Sequence, residues 1–204
     1  MPNEQQPSRR TRQAEQTRRD IVAAARPLFA QQGYAATSMA QIARGAGVSV
    51  QTIYDSVGSK SAIVRQLNDL LDDEGDVGPL ASRISTMTDP VELLGIAVAI
   101  SRNINERCED LVAAIYSAAS VEPEMAAVRD ESRRRHRAGI GGLSKRLASL
   151  GSLRSDIDVE TAADVIAGLT DPQVARTFVS EYGWSWERWH GWTVEALGTL
   201  VLRS

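Results

Sequence analysis

Residues 38–57, SMAQIARGAGVSVQTIYDSV, constrain the fold of this chain more than any other segment. Ser38, followed three positions later by Gln41, fits a capping box at the start of a short helix over about residues 39–45. A glycine-rich turn follows, and Ser49 is a suitable cap for a second short helix that ends near residue 57. The apolar residues between the caps can turn inward and hold the two helices together: Met39, Ile42, Ala43, Ala46, Val48, Ile53 and Val57.

The second of these helices should present a mostly polar face to solvent. A short helix of this kind, supported from behind by a partner, can enter the major groove of DNA. In such a groove Gln51 could form a bidentate contact with adenine, Asp55 could accept a hydrogen bond from cytosine N4, and Val50 could meet a thymine methyl group. The segment therefore predicts a helix-turn-helix that reads DNA.

Other polar residues nearby are suited to phosphate groups, which fix the register of a protein on the duplex. We expect four of them to bind the DNA backbone: Thr52, Tyr54, Ser56 and Lys60. Arg44 could reach the backbone or a base from the first helix of the pair. With the two caps, the predicted DNA-binding set is Ser38, Arg44, Ser49, Val50, Gln51, Thr52, Tyr54, Asp55, Ser56 and Lys60.

The distribution of charge favours the same end of the chain. The 204 residues carry a formal net charge of −3, which at first argues against nucleic acid. Residues 1–60, however, contain eight Arg and Lys and four Asp and Glu, a net charge of +4, so the remainder carries −7. A basic head on an acidic body is expected when only one end of a protein meets phosphates.

The N-terminal region divides into an arm and a helical domain. Residues 1–11 are polar and are predicted to be a disordered basic arm. Arg9, Arg10 and Arg12 either belong to a solvated tail or touch the DNA backbone or minor groove. A first helix is expected over about residues 12–32, with Pro27 kinking it or breaking one backbone bond. The DNA-binding domain is predicted to span residues 12–72.

Residues 73–204 are predicted to form a larger helical domain that binds an effector and dimerises. All four Trp fall within residues 184–192, and the last helix has an amphipathic set: Trp189, Trp192, Ala196, Leu197, Leu200 and Val201. These side chains are either core or the interface with a second subunit, since aromatic stripes mark interfaces. The run RRRHR at residues 133–137 favours a solvated face over a second basic patch. No strand alternation is visible, so the fold class is all-α.

Composition argues against several other classes of protein. One Cys and two well-separated His argue against a disulfide framework, a structural metal site and a cofactor held by such ligands. No signal peptide or membrane-spanning stretch is visible, so we expect a cytoplasmic protein that does not contact membranes. Cys108, His136 and His190 lie far apart and no catalytic motif surrounds them, so we expect no enzymatic activity.

The segment around residues 37–60 resembles the TetR (tetracycline-repressor) family of bacterial transcriptional regulators. The resemblance covers about residues 12–70 and is carried by Gly33-Tyr34, Thr37, Ile42-Ala43, Ala46-Gly47-Val48-Ser49, Thr52-Ile53-Tyr54 and Ser59-Lys60. Many members differ where Val50, Gln51 and Val57 stand. Val57 still fills a core position, and Gln51 and Asp55 point to an unusual operator preference. LTDP at residues 169–172 and GWSWERWHGW at residues 183–192 resemble one subgroup more weakly.

The resemblance implies an all-helical homodimer whose last two major helices form a four-helix interface. It also implies a small molecule, of unknown identity, that binds the C-terminal domain and releases the DNA. The expected function is thus a repressor that binds a palindromic double-stranded operator as a dimer. The alternative is an architectural or effector-independent DNA-binding protein, which salt-dependent binding without a preferred sequence would favour.

Overall fold

The structure, a computed structural model, describes residues 8–203, and most of these residues are helical. Within these residues there are eleven α-helices and one π-helical turn, which confirms the predicted all-α class. The helices are α1 (Arg9–Ala36), α2 (Met39–Ala46), α3 (Val50–Ser56), α4 (Lys60–Glu74), α5 (Val77–Arg83), α6 (Pro90–Arg107), α7 (Glu109–Ala119), α8 (Pro123–Ser149), α9 (Val159–Leu169), α10 (Pro172–Arg176) and α11 (Trp186–Val201). The π-helical turn, Thr177–Glu181, lies between α10 and α11.

The chain forms two compact units whose limits differ from the predicted domains. The first unit runs to Asn68 and also takes in Ala113–Val128, and the second contains Asp69–Val112 and Arg129–Ser204. The predicted division after residue 72 does not match these limits, because α4 is one continuous helix through that region. The acidic, glycine-containing stretch at residues 72–79 covers the end of α4 and the start of α5. The contribution of residues 113–128 to the first unit was not predicted.

Helix α1 begins earlier than its apolar pattern indicates. The Ser8 hydroxyl accepts a hydrogen bond from the Thr11 amide at 3.2 Å and caps the first turn, so the helix starts at Arg9. The predicted disordered arm is therefore wrong for residues 9–11, and its residues 1–7 lie outside the described part of the chain. Pro27 lies inside α1, while the non-helical backbone falls at Gly33, with φ 78° and ψ 170°.

The core of the first unit is built from the apolar faces of α1 to α4. Ile21, Ala25 and Phe29 recur on one face of α1 and are buried, as their spacing predicts. Ile42 of α2 and Ile53 of α3 are fully buried, and both helices pack against α1. Burial of side chains of this size contributes about 1.5–3 kcal/mol each, so packing rather than helix propensity keeps these short helices folded.

The core of the second unit is an apolar cluster formed by α6, α8, α9 and α11. Trp189, Leu197 and Val201 of α11 belong to this cluster and have no exposed surface. Of the two alternatives for these three residues, core or subunit interface, the structure favours the core, because their side chains fill the interior of one protomer. Trp192 and Leu200 are 39% and 47% exposed, and Ala196 is half-buried.

The arginine run of α8 is held in ion pairs with acidic side chains of the second unit or of its own helix. Arg135 pairs with both Asp69 and Asp72 of α4. Three neighbouring arginines pair with one carboxylate each: Arg133 with Asp171 at 3.0 Å, Arg134 with Glu131 at 2.6 Å and Arg137 with Asp164 at 2.5 Å. Since each guanidinium has an acidic partner, this run is not a free basic patch.

Candidate nucleic-acid interface

Local hydrogen bonds at the predicted positions fix both ends of α2. The Gln41 amide donates to the Ser38 hydroxyl at 3.3 Å, and the Ser38 amide donates to the Gln41 side-chain oxygen at 2.8 Å, which completes the capping box. Gly47 has a left-handed backbone with φ 66°, and its amide donates to Ala43 and Arg44 carbonyls. The turn needs glycine here because other residues rarely adopt this conformation.

Helix α3 starts and ends on hydrogen bonds that set its direction. The Ser49 hydroxyl accepts from the Thr52 amide at 3.0 Å and lies 2.8 Å from the Thr52 hydroxyl. At the other end, the Arg18 guanidinium of α1 donates from Nε to the Ser56 carbonyl at 3.1 Å. The cap at Ser49 was predicted. The contact of Arg18 was not predicted, because its partner lies 38 positions away and no local sequence pattern indicates it.

The outward face of α3 has the composition that the sequence predicts. Gln51, Tyr54 and Asp55 are exposed, and the Tyr54 ring retains 53% of its accessible surface. The Gln51 amide nitrogen Nε2 donates to Asp55 Oδ1 at 2.8 Å, one helical turn further along. Val50, Thr52 and Ser56 are half-buried at the edges of this face. Arg44 is exposed in the last turn of α2 and so lies on the same two-helix segment.

Lys60 occupies a different place from the one predicted. Its ammonium nitrogen Nζ donates to the Tyr34 carbonyl at 2.7 Å and to the Thr37 carbonyl at 2.9 Å. It also lies 4.1 Å from the centre of the Tyr34 ring. Burial lowers the pKa of this ammonium, and the carboxylate of Glu122 opposes the shift. A cation in the first turn of α4 opposes the helix dipole, and the two carbonyls at the end of α1 compensate this effect.

Helix α1, which packs against α2 and α3, carries several exposed cations. Arg9, Arg10, Arg12, Arg18 and Arg19 of α1 are all exposed, which gives the first unit its positive surface. Asp55 forms no ion pair with any cation among residues 8–203. Its negative charge therefore faces solvent on the surface that we expect to meet DNA.

Neither a metal-binding cluster nor a membrane-spanning helix is present within residues 8–203. These residues contain no group of three or more His, Cys, Asp or Glu side chains arranged to hold a metal ion. The same part of the chain has no helix that is both long and apolar enough to cross a membrane.

Helices α1 to α3 thus form a helix-turn-helix whose supported helix presents a polar face, which defines a DNA-binding protein. Residues 21–67 match the family described as "Bacterial regulatory proteins, tetR family". The regulator HbdR of Aromatoleum sp. (strain CIB), an HTH-type transcriptional regulator, is 41% identical over 85 residues, which make up 41% of this chain and 36% of HbdR. The matched segment therefore spans little more than a third of that relative.

The fold of the whole chain is also found in solved structures. NalD of Pseudomonas aeruginosa, the secondary repressor of the MexAB-OprM multidrug efflux pump, has a TM-score of 0.71 at 18% identity, over 95% of this chain and 99% of NalD. FadR of Bacillus subtilis, solved in complex with stearoyl-CoA, has a TM-score of 0.72 at 19% identity, over 88% of this chain and 96% of FadR. Residues 21–67 are thus similar to the DNA-binding region of the tetR family, and the whole chain shares its fold with these two solved regulators.

Proposed function

We propose that this regulator is a repressor that binds a palindromic operator as a homodimer and leaves it when a small molecule binds the second unit. The observation that carries the proposal is the exposed polar face of α3. Gln51, Tyr54 and Asp55 stand there on a helix whose start is capped and whose back is packed against α1. This regulator acts by binding alone, in the cytoplasm, with no cofactor and no catalytic step.

The roles of the remaining DNA-binding residues follow from their exposure. Tyr54 and Arg44 are free to hold phosphates, and Val50 can contact a base at the edge of α3. Ser38, Ser49 and Thr52 have hydroxyls engaged in caps, so any phosphate contact they make uses their remaining hydrogen-bonding capacity. The Ser56 side chain lies beside the carbonyl that Arg18 holds. Lys60 positions α4 against the segment that follows α1 and, on this proposal, acts on DNA only indirectly.

Two substitutions test the division between base reading and phosphate binding. Gln51→Ala should relax the preference at one base pair by about 1–3 kcal/mol and leave the other positions unchanged. Tyr54→Phe removes only the hydroxyl, so it should lower the affinity for all DNA sequences to the same extent. Dissociation constants over a panel of operator variants measure both effects. Identical profiles for the two variants would contradict the division.

The exposed part of α11 supports a homodimer. Trp192 and Leu200 leave large apolar surfaces uncovered, and Phe178 and Trp184 extend the patch around Trp192, with ring centres 5.2 and 5.7 Å away. Contiguous apolar surface of this kind is typical of subunit interfaces. In a dimer, two copies of α3 would meet half-sites about one helical turn, roughly 34–36 Å, or a multiple of it apart.

The interior of the second unit supports a small-molecule effector. Among the described residues, five buried side-chain atoms there have no hydrogen-bond partner: Asn105 Oδ1, Ser144 Oγ, Trp189 Nε1, His190 Nδ1 and Thr193 Oγ1. Buried polar atoms are nearly always paired, so these atoms favour a bound molecule or water. A few polar groups among apolar side chains are the usual composition of a small-ligand site. FadR of Bacillus subtilis, with the same fold, was solved with stearoyl-CoA.

Thermal shift assays with a metabolite library test the effector. A true effector should raise the melting temperature of the protein and lower its operator affinity, because it must bind the non-DNA-binding arrangement more tightly. Asn105→Leu keeps the size of the side chain and removes its polar atoms. It should therefore lower the affinity for the effector and leave the affinity for the operator unchanged. If no compound changes operator affinity, the alternative of an effector-independent DNA-binding protein gains support.

A further inference from the structure

The contact between Gln51 and Asp55 fixes which way the Gln51 amide faces. An ionised carboxylate only accepts hydrogen bonds, so the atom that approaches Asp55 Oδ1 at 2.8 Å must be the amide nitrogen. Of the two N–H groups on that nitrogen, one is thus committed to Asp55. Because both side chains are exposed and lie one turn apart on α3, this contact forms on the face that we expect to read DNA.

The N–H that donates to Asp55 is not available to DNA, which changes the bases that Gln51 can recognise. A free carboxamide offers two N–H donors and one oxygen acceptor, so it can pair with adenine or donate twice to the two acceptors of guanine. With one N–H held by Asp55, one donor and one acceptor remain. That pair complements adenine, which presents an acceptor at N7 and a donor at N6, and it leaves one acceptor of guanine without a donor.

The charge of Asp55 acts in the same direction. Among residues 8–203 the carboxylate accepts a hydrogen bond from the neutral Gln51 amide and forms no ion pair with a cation, so no positive charge of the protein neutralises it. Guanine turns two acceptor atoms, N7 and O6, toward the major groove, whereas adenine turns one acceptor and one donor. A carboxylate beside the reading residue therefore disfavours guanine more than adenine.

We propose that Asp55 is a specificity-determining residue that acts through Gln51, so that the two side chains together read adenine and reject guanine at one position of each half-site. This inference rests on the proposed function, since it assumes that α3 enters the major groove of a specific operator. It gives the acidic residue on the reading face a role through its neighbour, in place of a direct hydrogen bond from cytosine N4. Asp55 is in this account a positioning residue, and Gln51 is the group that touches the base.

The test measures how strongly adenine is preferred over guanine at the position that depends on Gln51. The wild-type protein should prefer adenine by about 5- to 150-fold. Asp55→Ala frees the second N–H and should reduce this preference at least about fivefold. Asp55→Asn removes the charge but keeps an oxygen that accepts from Gln51, so it should bind all sequences more tightly and retain most of the preference.

A double-mutant cycle separates this account from direct reading by Asp55. In a Gln51→Ala background, Asp55→Ala should change the adenine preference much less than in the wild type, because only the effect of the charge remains and Asp55 has no partner left to orient. Equal loss of preference in Asp55→Ala and Asp55→Asn, or the same effect of Asp55→Ala with and without Gln51, would overturn the inference. Replacing adenine by 7-deazaadenine should remove most of the wild-type preference, since N7 is lost, and an unchanged preference would also overturn it.

Failure of the inference is distinguishable from failure of the proposed function. If the wild-type protein selects no DNA sequence at all, the proposed function fails and the adenine test cannot be set up. If a specific operator is found and the Gln51 position reads a base other than adenine, only the inference fails. Circular dichroism of the variants checks folding, which should be unchanged because both side chains are exposed.

Discussion

Lys60 illustrates how a sequence pattern can single out a side chain without revealing the groups that it contacts within the protein. Its position after Ser59 was expected to place a cation near a phosphate. The structure instead gives its ammonium two backbone carbonyls, of Tyr34 and Thr37, and the face of the Tyr34 ring. Those partners lie 26 and 23 positions earlier, so no local pattern could reveal them. The residue holds the start of α4 against the segment that follows α1.

Replacing Lys60 should therefore affect stability more than the salt dependence of DNA binding. Lys60→Met keeps most of the stem and removes the ammonium, so it should lower the free energy of unfolding by about 1–2 kcal/mol. Denaturant unfolding measures this change, with Lys145→Met as the control because Lys145 is exposed on α8. If Lys60→Met instead leaves stability intact and reduces the salt slope of operator binding by about one, a direct phosphate contact is the better account.

His136 makes the stability of the second unit depend on pH. Burial lowers the pKa of its imidazole, against the opposing effects of Asp171 and a backbone hydrogen bond to Ala167. Because the folded pKa lies below the unfolded value of about 6.5, the unfolded chain binds more protons in acid. Stability is then fully present above about pH 6.5 and is lost as the pH falls from there through the folded pKa.

The substitution His136→Gln tests this assignment. Glutamine cannot titrate and can still donate to the Thr170 hydroxyl, which lies 2.9 Å from His136 Nε2. The loss of stability between pH 7.5 and pH 5.5 should be smaller in the variant than in the wild type, as measured by denaturant unfolding at each pH. His190→Gln is the comparison, because His190 is less buried and its pKa is lowered by burial and by Arg102. An unchanged pH dependence in His136→Gln would refute the role of His136.

At the scale of helices, the sequence predicts contacts between residues that are close in the chain and misses contacts between residues that are far apart in it. The capping box at Ser38, the turn at Gly47 and the cap at Ser49 depend on residues within five positions, and the structure has all three. The bond from Arg18 to the end of α3 joins residues far apart in sequence, so it was not foreseen. The apolar residues of α11 were interpreted as a single face. In the structure Trp189, Leu197 and Val201 are buried, whereas Trp192 and Leu200 are exposed. The sequence of α11 could not show this difference, because burial depends on which helices pack against it.

The end of α4 is packed so closely against α6 that Gly75 has no room for a side chain. A Cβ at this position would lie 2.5 Å from Ile104 Cγ1 and 2.8 Å from the Leu71 carbonyl oxygen. Gly75→Ala should therefore destabilise the protein by about 1–3 kcal/mol, the usual cost of overpacking. Gly139→Ala in α8 is the control, since nothing lies within 4 Å of its Cβ and alanine favours a helix. Equal melting temperatures for the two variants would show that α4 can shift away from α6.

At the scale of the whole molecule, the proposed dimer depends on the exposed stripe of α11. Leu200→Glu places a charge in that stripe and should shift the protein from dimer to monomer, with little effect on the melting of each protomer. Val121→Glu is the matched control, since Val121 is 74% exposed in the turn before α8. Sedimentation velocity measures the oligomeric state of both variants. A Leu200→Glu protein that remains dimeric at micromolar concentration would place the interface elsewhere.

The central claim is that α3 reads a specific, two-fold symmetric DNA site, and selection from a random DNA pool tests it most directly. The full-length protein should enrich a palindrome whose half-sites lie about one helical turn, or a multiple of it, apart. Gln51→Ala should enrich the same palindrome with one relaxed position in each half-site. A pool in which no sequence is enriched, while binding falls steeply with salt, would contradict the claim.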